Sequence, residues 1–223
     1  MLTRLHRVLD PDRLEDTRKL MADGRFVDGI LSAGMAARRV KHNQELAADD
    51  RLIRSLNNLV MGSLVNHADY RSAAMPLKVG APHYARYSPG MSYGDHVDDP
   101  VMGQGELYRS DLSVTIFLSG PDDYDGGELI IETPFGEQRV KLPAGDAVIY
   151  PSSSVHRVAE VTRGERVVAV SWIQSLVRAP DKRALLHELN QAREKLLHEQ
   201  PDAEATRRVN HTYINLVRMW SEI

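Results

Sequence analysis

Residues 142–158, LPAGDAVIYPSSSVHRV, read as a turn, a short strand, a second turn and the start of another strand carrying His156. Pro143 and Gly145 punctuate the first turn and the serine run makes the second; DAVIYP (146–151) between them has the β-branched and aromatic content of a strand. The flanking sequence repeats this texture. HYARY (83–87) stops at SPG, and DLSVTIFLS (111–119) alternates polar and apolar residues until GPDDYDGG breaks it. ELIIET (128–133) and EQRVKL (137–142) flank PFG as a hairpin does, and TRGE separates VHRVAEV (155–161) from RVVAVSWIQS (166–175). Strands this short, at this spacing, predict a sandwich or barrel.

Helical signals lie on both sides of the β region. Asp10 is a cap, Pro11 suits a first turn and Gly24 follows the end, so residues 10–23 read as a helix. RFVDGILSAG (25–34) is extended or looped. From Gln44 to about Ala68 the residues Leu46, Leu52, Ile53, Leu56, Leu59, Val60 and Leu64 recur at three and four, a helical pattern. Pro180 and Asp181 open a helical tail with two stripes: Leu185, Leu186, Leu189, Ala192, Leu196 and Leu197, then Val209, Tyr213, Leu216, Val217 and Trp220. Pro201 between them makes a helical hairpin, packed on the β core or used as a homodimer surface. The expected fold is α+β, a double-stranded β-helix (jelly roll) core with N-terminal supporting helices. Residues 1–178 form one domain with its core at about 77–178, and residues 179–223 form a C-terminal helical extension.

Composition narrows the function. The 223 residues are 42% apolar and 26% charged, with a formal net charge of −3 and no basic stripe interleaved with aromatics, so no nucleic-acid partner is expected. No apolar run approaches the roughly eighteen residues of a membrane span, and the N-terminus lacks the apolar core of a signal peptide. The expected location is the cytoplasm, with no membrane partner. Cysteine is absent, which excludes disulfides, iron–sulfur clusters and thiol catalysis and leaves nitrogen and oxygen as metal ligands.

The chemistry-bearing residues begin with YGDHVDDPVM (93–102). Residues two apart on a strand face the same side, so His96 and Asp98 point together while Val97 points away with Asp95 and Asp99. A lone H-x-D is usually a solvated accident, and a lone strand histidine such as His156 is usually a hydrogen-bonded structural residue. Arg166, opening an apolar strand, is by itself an ordinary surface charge. In this order on a β-rich chain without cysteine, the four reverse those odds. Two imidazoles and a carboxylate form the facial triad of non-haem iron oxygenases, which leaves three coordination positions free. A 2-oxo acid takes two of them and dioxygen the third, and the fork of Arg166 binds the far carboxylate.

The sequence resembles the bacterial PKHD-type hydroxylases, relatives of the prolyl 4-hydroxylases among the Fe(II)/2-oxoglutarate dioxygenases. The resemblance spans nearly the whole chain: VDGILSAG (27–34), YDGGELIIE (124–132), LPAGDAVIYPSSSVHRV (142–158), VTRGER (161–166), WIQSLVR (172–178) and the C-terminal helices. It implies that His96, Asp98 and His156 ligate Fe(II), that Arg166 holds the C5 carboxylate of 2-oxoglutarate with Tyr87 beside it, and that L-ascorbate restores over-oxidised iron. It also implies a link to iron homeostasis and hydroxylation of a C–H bond with release of succinate and CO2. HVDDP stands where HVDNA-like text is expected, and His42 in VKHNQEL where an asparagine is typical; both departures bear on substrate rather than chemistry. The substrate is an amino acid, a peptide or another small metabolite. VMGQGELYRSD (101–111) reads as a mobile loop at the entrance, with Tyr108 and Arg109 as candidate substrate contacts. A cupin-type metalloenzyme would place a second histidine at 98 and a glutamate soon after; Asp98 and Val101 oppose it. A zinc hydrolase is open to the same ligands but lacks an obvious general base near His96. A metal-free β-sandwich binding module is the alternative of a different class.

Overall fold

A computed structural model of the chain describes residues 1–223 except Ala33, Ala36, Ala48 and Gln104. Two antiparallel sheets make the core. The larger runs Thr3–Leu5, Ala147–Pro151, Leu112–Phe117, Arg166–Ser175, His83–Tyr87, Gln44–Leu46, Phe26–Asp28, with Pro76–Val79 also paired to Arg166–Ser175. The smaller runs Gly136–Val140, Leu129–Thr133, His156–Val158, Ser92–His96, Lys41–His42. Their inner faces share one apolar cluster, in which Phe117, Val148 and Val168 meet Leu129, Ile131 and Val158. The second face of the larger sheet packs under helices, where Val114, Ile149 and Ile173 meet Leu56, Val60 and Tyr70. This is the expected α+β jelly roll, with edge strands at the ends of both sheets rather than one closed barrel.

Burial on both faces explains a feature of DLSVTIFLS that alternation alone misreads. All six residues of Leu112–Phe117 are buried. Leu112, Val114 and Ile116 face the helices, so the alternating polar residues Ser113 and Thr115 face the other sheet rather than water.

The N-terminal helix Pro11–Ala22 starts at Asp10, whose carboxylate accepts from the Arg13 amide at 2.8 Å, and ends at Asp23, as the sequence predicts. The helix expected from Gln44 begins later. Asp49 caps Asp50–Asn66 by accepting from the Arg51 and Leu52 amides, and Gln44–Leu46 is instead a strand between Phe26–Asp28 and His83–Tyr87. Leu46 matches the helical period only by coincidence. The 155–161 stretch also divides: His156–Val158 stays in the smaller sheet, while Val161–Gly164 pairs with Tyr124–Gly126. Within 101–111, Val101–Met102 and Tyr108–Arg109 form a short ribbon.

Pro180–Glu199 and Glu204–Trp220 form the expected helical hairpin. It docks on the helix Ala68–Ala74 rather than on a sheet face. The Ser72 hydroxyl lies 2.8 Å from His187 Nδ1 and accepts from the Asn190 amide, while Leu186 packs with Met75 and Val177.

The turn that opens the strand Ala147–Pro151 depends on Gly145. Its φ is +92°, and a Cβ there would lie 2.5 Å from the Leu9 carbonyl oxygen. A Gly145→Ala variant therefore combines left-handed strain with a backbone clash, and an unfolding free energy lower by about 2 kcal/mol or more is expected. Denaturant titration reads this as a lower midpoint with an unchanged slope.

Candidate metal centre

Register builds the centre. His96 ends its strand directly opposite His156 on the neighbouring one, which sets their rings 4.2 Å apart. The chain leaves the sheet after His96 and turns Asp98 back, so that Asp98 Oδ1 lies 4.0 Å from His96 Nε2 and 3.8 Å from His156 Nε2. The three ligand atoms fall within 4.8 Å of one another, a separation that one ion can bridge. Among the described residues this is the one such group.

Hydrogen bonds fix which ring nitrogen is free. His96 Nδ1 donates to the Gly94 carbonyl at 2.8 Å, and His156 Nδ1 donates to the Ser154 carbonyl at 3.0 Å. A carbonyl only accepts, so each Nδ1 carries the proton and each Nε2 presents its lone pair to the shared space. Asp98 Oδ2 accepts from the Ser113 hydroxyl, leaving Oδ1 toward the imidazoles. Tyr93 stacks on His96 with centroids 3.7 Å apart, and Tyr150 meets His156 edge-on.

Burial, with His156 adjacent, lowers the His96 pKa to about 4, so the ring is neutral at pH 7 and binds metal without first losing a proton. The unfolded chain takes up that proton near the usual histidine pKa, about 6.5, while the folded metal-free protein does not do so until about pH 4. Stability of the metal-free protein is therefore fully present above about pH 6.5 and is lost as pH falls toward 4. Thermal unfolding across that window should show the decline, and a His96→Ala variant should flatten it.

Arg166 opens its strand opposite Tyr87 and is 1% exposed. Its guanidinium lies 5.1 Å from the Tyr87 ring and 5.6 Å from that of Phe117. No carboxylate of the described residues pairs with it, and its Nε lacks a hydrogen-bond partner; the buried Tyr124 hydroxyl also lacks one. A buried cation without an anion is costly, so the site fits a ligand that brings a carboxylate. Asn43, 3% exposed, lines the same wall as Tyr87, and its Oδ1 lacks a hydrogen-bond partner.

His96, Asp98, His156, Arg166, Tyr87 and Asn43 line one cavity of about 280 Å³ between the sheets, whose outer wall holds Lys41, Glu45, His83 and Trp172. Lys41 donates to Glu45 at 2.5 Å and to Ser32 at 2.8 Å. Burial alone raises the Glu45 pKa, but the hydrogen bond from His83 and the charge of Lys41 outweigh it and bring the group to about 2.

The structure thus brings His96, Asp98, His156, Arg166 and Tyr87 to one cavity. Tyr108 and Arg109 are not on its lining: the Tyr108 hydroxyl packs against Gly80, and Arg109 forks onto Asp111. Strand alternation also fails beyond His96. Asp99, expected to point away, lines the cavity because the strand has ended, while Asp95 pairs with Arg157 on the surface. Lys41, Asn43 and Glu45 carry no signal in the sequence: the helical period from Gln44 spans Glu45, and the two-residue strand Lys41–His42 leaves no periodic trace of itself or of Asn43 beside it.

Residues 82–174 match the 2OG-Fe(II) oxygenase superfamily model, and residues 181–222 match the PKHD-type hydroxylase C-terminal domain. The protein is 54% identical to a PKHD-type hydroxylase of Thioalkalivibrio sulfidiphilus over the full length of both chains. The chain belongs to the PKHD-type hydroxylases. A PKHD-type hydroxylase of Stenotrophomonas maltophilia is 44% identical over the same extent. Among solved structures, a Pseudomonas putida prolyl-4-hydroxylase superposes with a TM-score of 0.51 at 20% identity, covering 78% of this chain and 92% of that one. A Trichoplax adhaerens prolyl hydroxylase, solved with a hypoxia inducible factor peptide, gives 0.56 at 17%, covering 82% and 86%. At those identities the likeness is one of fold. This PKHD-type hydroxylase is an Fe(II)- and 2-oxoglutarate-dependent dioxygenase with a His/Asp/His site of the facial-triad kind, and the cupin and binding-module alternatives give way. No helix among the described residues is long and apolar enough to cross a membrane.

Proposed function

We propose that His96, Asp98 and His156 ligate the iron, that Arg166 receives the C5 carboxylate of 2-oxoglutarate with Tyr87 along its stem, and that the enzyme hydroxylates a C–H bond of an amino acid, a peptide or a small metabolite. The observation that carries this is the convergence of two freed Nε2 lone pairs and one carboxylate oxygen on a single point of the cavity that also holds the unpaired Arg166. When bound, the metal and 2-oxoglutarate supply the oxidising power that places one atom of dioxygen on substrate carbon as the 2-oxo acid becomes succinate and CO2.

The chain's own groups bind and orient. Arg166 offers a planar fork at the closed end, in a setting dry enough for a charge-assisted pair to be strong. Val158, Leu129 and Tyr150 keep water from the middle of the cavity. At the mouth, Trp172, His83 and the Lys41–Glu45 pair form the wall against which substrate is positioned. We assign substrate contact to these rather than to Tyr108 and Arg109, which stand off the lining. Residues 1–178 are the catalytic unit and 179–223 an extension docked on it. L-ascorbate as reductant and a role in iron homeostasis belong to the same reading and rest on the family resemblance; a cytoplasmic location and a homodimer are proposed with it, the homodimer through the apolar stripes of the C-terminal helices.

The test is an anaerobic titration of metal-free protein with Fe(II) and then 2-oxoglutarate. A visible charge-transfer band is expected, and Arg166→Ala should lose it at the same cosubstrate concentration. Iron binding without the band would remove Arg166 and the 2-oxo acid from this cavity; no iron binding would overturn the ligand set.

A further inference from the structure

Ser113 and Ser152 are two buried hydroxyls that no reading of the sequence singled out. Ser113 is fully buried and Ser152 is 2% exposed. Ser113 sits on Leu112–Phe117, opposite Tyr150 in register, and its hydroxyl donates to Asp98 Oδ2. Ser152 follows the adjacent strand Ala147–Pro151; its amide donates to the Asp111 carbonyl at 3.2 Å, and its hydroxyl lies 2.8 Å from that of Ser113. The proton count fixes the direction of the chain. An ionised carboxylate only accepts, so the single proton of Ser113 goes to Asp98, and the proton between the serines must come from Ser152.

We infer that Ser152 and Ser113 form a hydroxyl relay that ties one oxygen of Asp98 and so keeps that residue a single-oxygen metal ligand. Ser113 lies on the larger sheet and Ser152 directly follows one of its strands, whereas Asp98 follows a strand of the smaller sheet. The relay therefore fixes the carboxylate from across the fold. Asp98 Oδ1 faces His96 and His156, and Oδ2 is held away from the shared point. Were both oxygens to chelate, one of the three positions needed by cosubstrate and dioxygen would be filled. Polar residues at 113 and 115 on a strand buried on both faces are otherwise an expense to the fold. Ser113 and Ser152 are positioning residues acting through Asp98, and the inference rests on Asp98 being a ligand as proposed above.

The test is anaerobic Fe(II) titration of the full chain and of Ser113→Ala, Ser152→Ala and the double variant, followed by the charge-transfer band with 2-oxoglutarate at saturating iron. Ser113→Ala is expected to bind Fe(II) about 10- to 100-fold more weakly, because Asp98 is no longer held in its ligating orientation, and to shift the band, because its freed oxygen can reach the remaining coordination positions. Ser152→Ala should show a smaller weakening, and the double variant should bind no more weakly than Ser113→Ala, since Ser152 acts only through Ser113. Fe(II) affinity within about twofold of wild type in Ser113→Ala, with Asp98→Ala still impaired, overturns the relay while leaving the ligand set standing. Single effects that add in the double variant overturn it too. If Ser113→Ala does not fold, Ser152→Ala decides: an unchanged affinity and band refute the inference. A wild-type chain that binds no iron overturns the ligand set and the relay together.

Discussion

Asp98→Ala is expected to abolish iron-dependent succinate formation, and His156→Ala to do the same. The argument is one of ligand number. Structural zinc sites with four ligands bind with about 10–16 kcal/mol, roughly 3 kcal/mol per ligand, so losing one ligand of three lowers affinity by about a hundredfold or more. The geometry adds to this. With Asp98 gone, the freed Nε2 atoms of His96 and His156 face each other with no anion between them, and the charge of a divalent ion is no longer offset within the pocket. Succinate release, measured with and without added Fe(II), should fall below detection at micromolar iron. A parallel His42→Ala control should retain activity, since His42 is exposed and absent from the cavity lining. Iron-dependent turnover that survives Asp98→Ala or His156→Ala would remove that residue from the ligand set.

What made His96, Asp98, His156 and Arg166 legible was their residue types in that order together with the family resemblance, since Asp98 lies past the end of its strand and His96 meets His156 only through register across the sheet. His96 and His156 lie on strands whose ends are marked by turn residues, and Arg166 opens a ten-residue strand with a clear apolar run. The helices Pro11–Ala22, Pro180–Glu199 and Glu204–Trp220 carry caps, prolines or periodicity, and are legible from those local signals. The outer wall was not legible. Lys41, Asn43 and Glu45 face inward only because Lys41–His42 pairs with Ser92–His96 and Gln44–Leu46 pairs with His83–Tyr87. Such pairings are set by long-range register, which short edge strands do not encode in their own pattern. For Ser113 and Thr115 the alternation is visible in the sequence but the side on which solvent lies is not, because helices cover the other face of the larger sheet.

Arg166→Met separates cosubstrate binding from folding, because the two effects carry opposite signs. Without a cosubstrate, Arg166 is a nearly fully buried cation with no carboxylate partner among the described residues. Replacing such a group by an apolar one of similar length is neutral or stabilising. The cosubstrate-free variant should therefore melt at or above the wild-type temperature. With 2-oxoglutarate present the order reverses: leaving its far carboxylate buried without a partner costs about 3–5 kcal/mol, so affinity should fall by two to three orders of magnitude or more. Wild type should gain melting temperature as 2-oxoglutarate is raised, and the variant should gain almost none. Fe(II) affinity should be unchanged, since Arg166 supplies no ligand atom. Arg166→Lys should fall between the two, because it restores charge without the planar fork. A variant that melts lower than wild type without cosubstrate, yet keeps the full stabilisation by 2-oxoglutarate, would make Arg166 a structural residue. The dicarboxylate would then have to be held by other groups along the cavity.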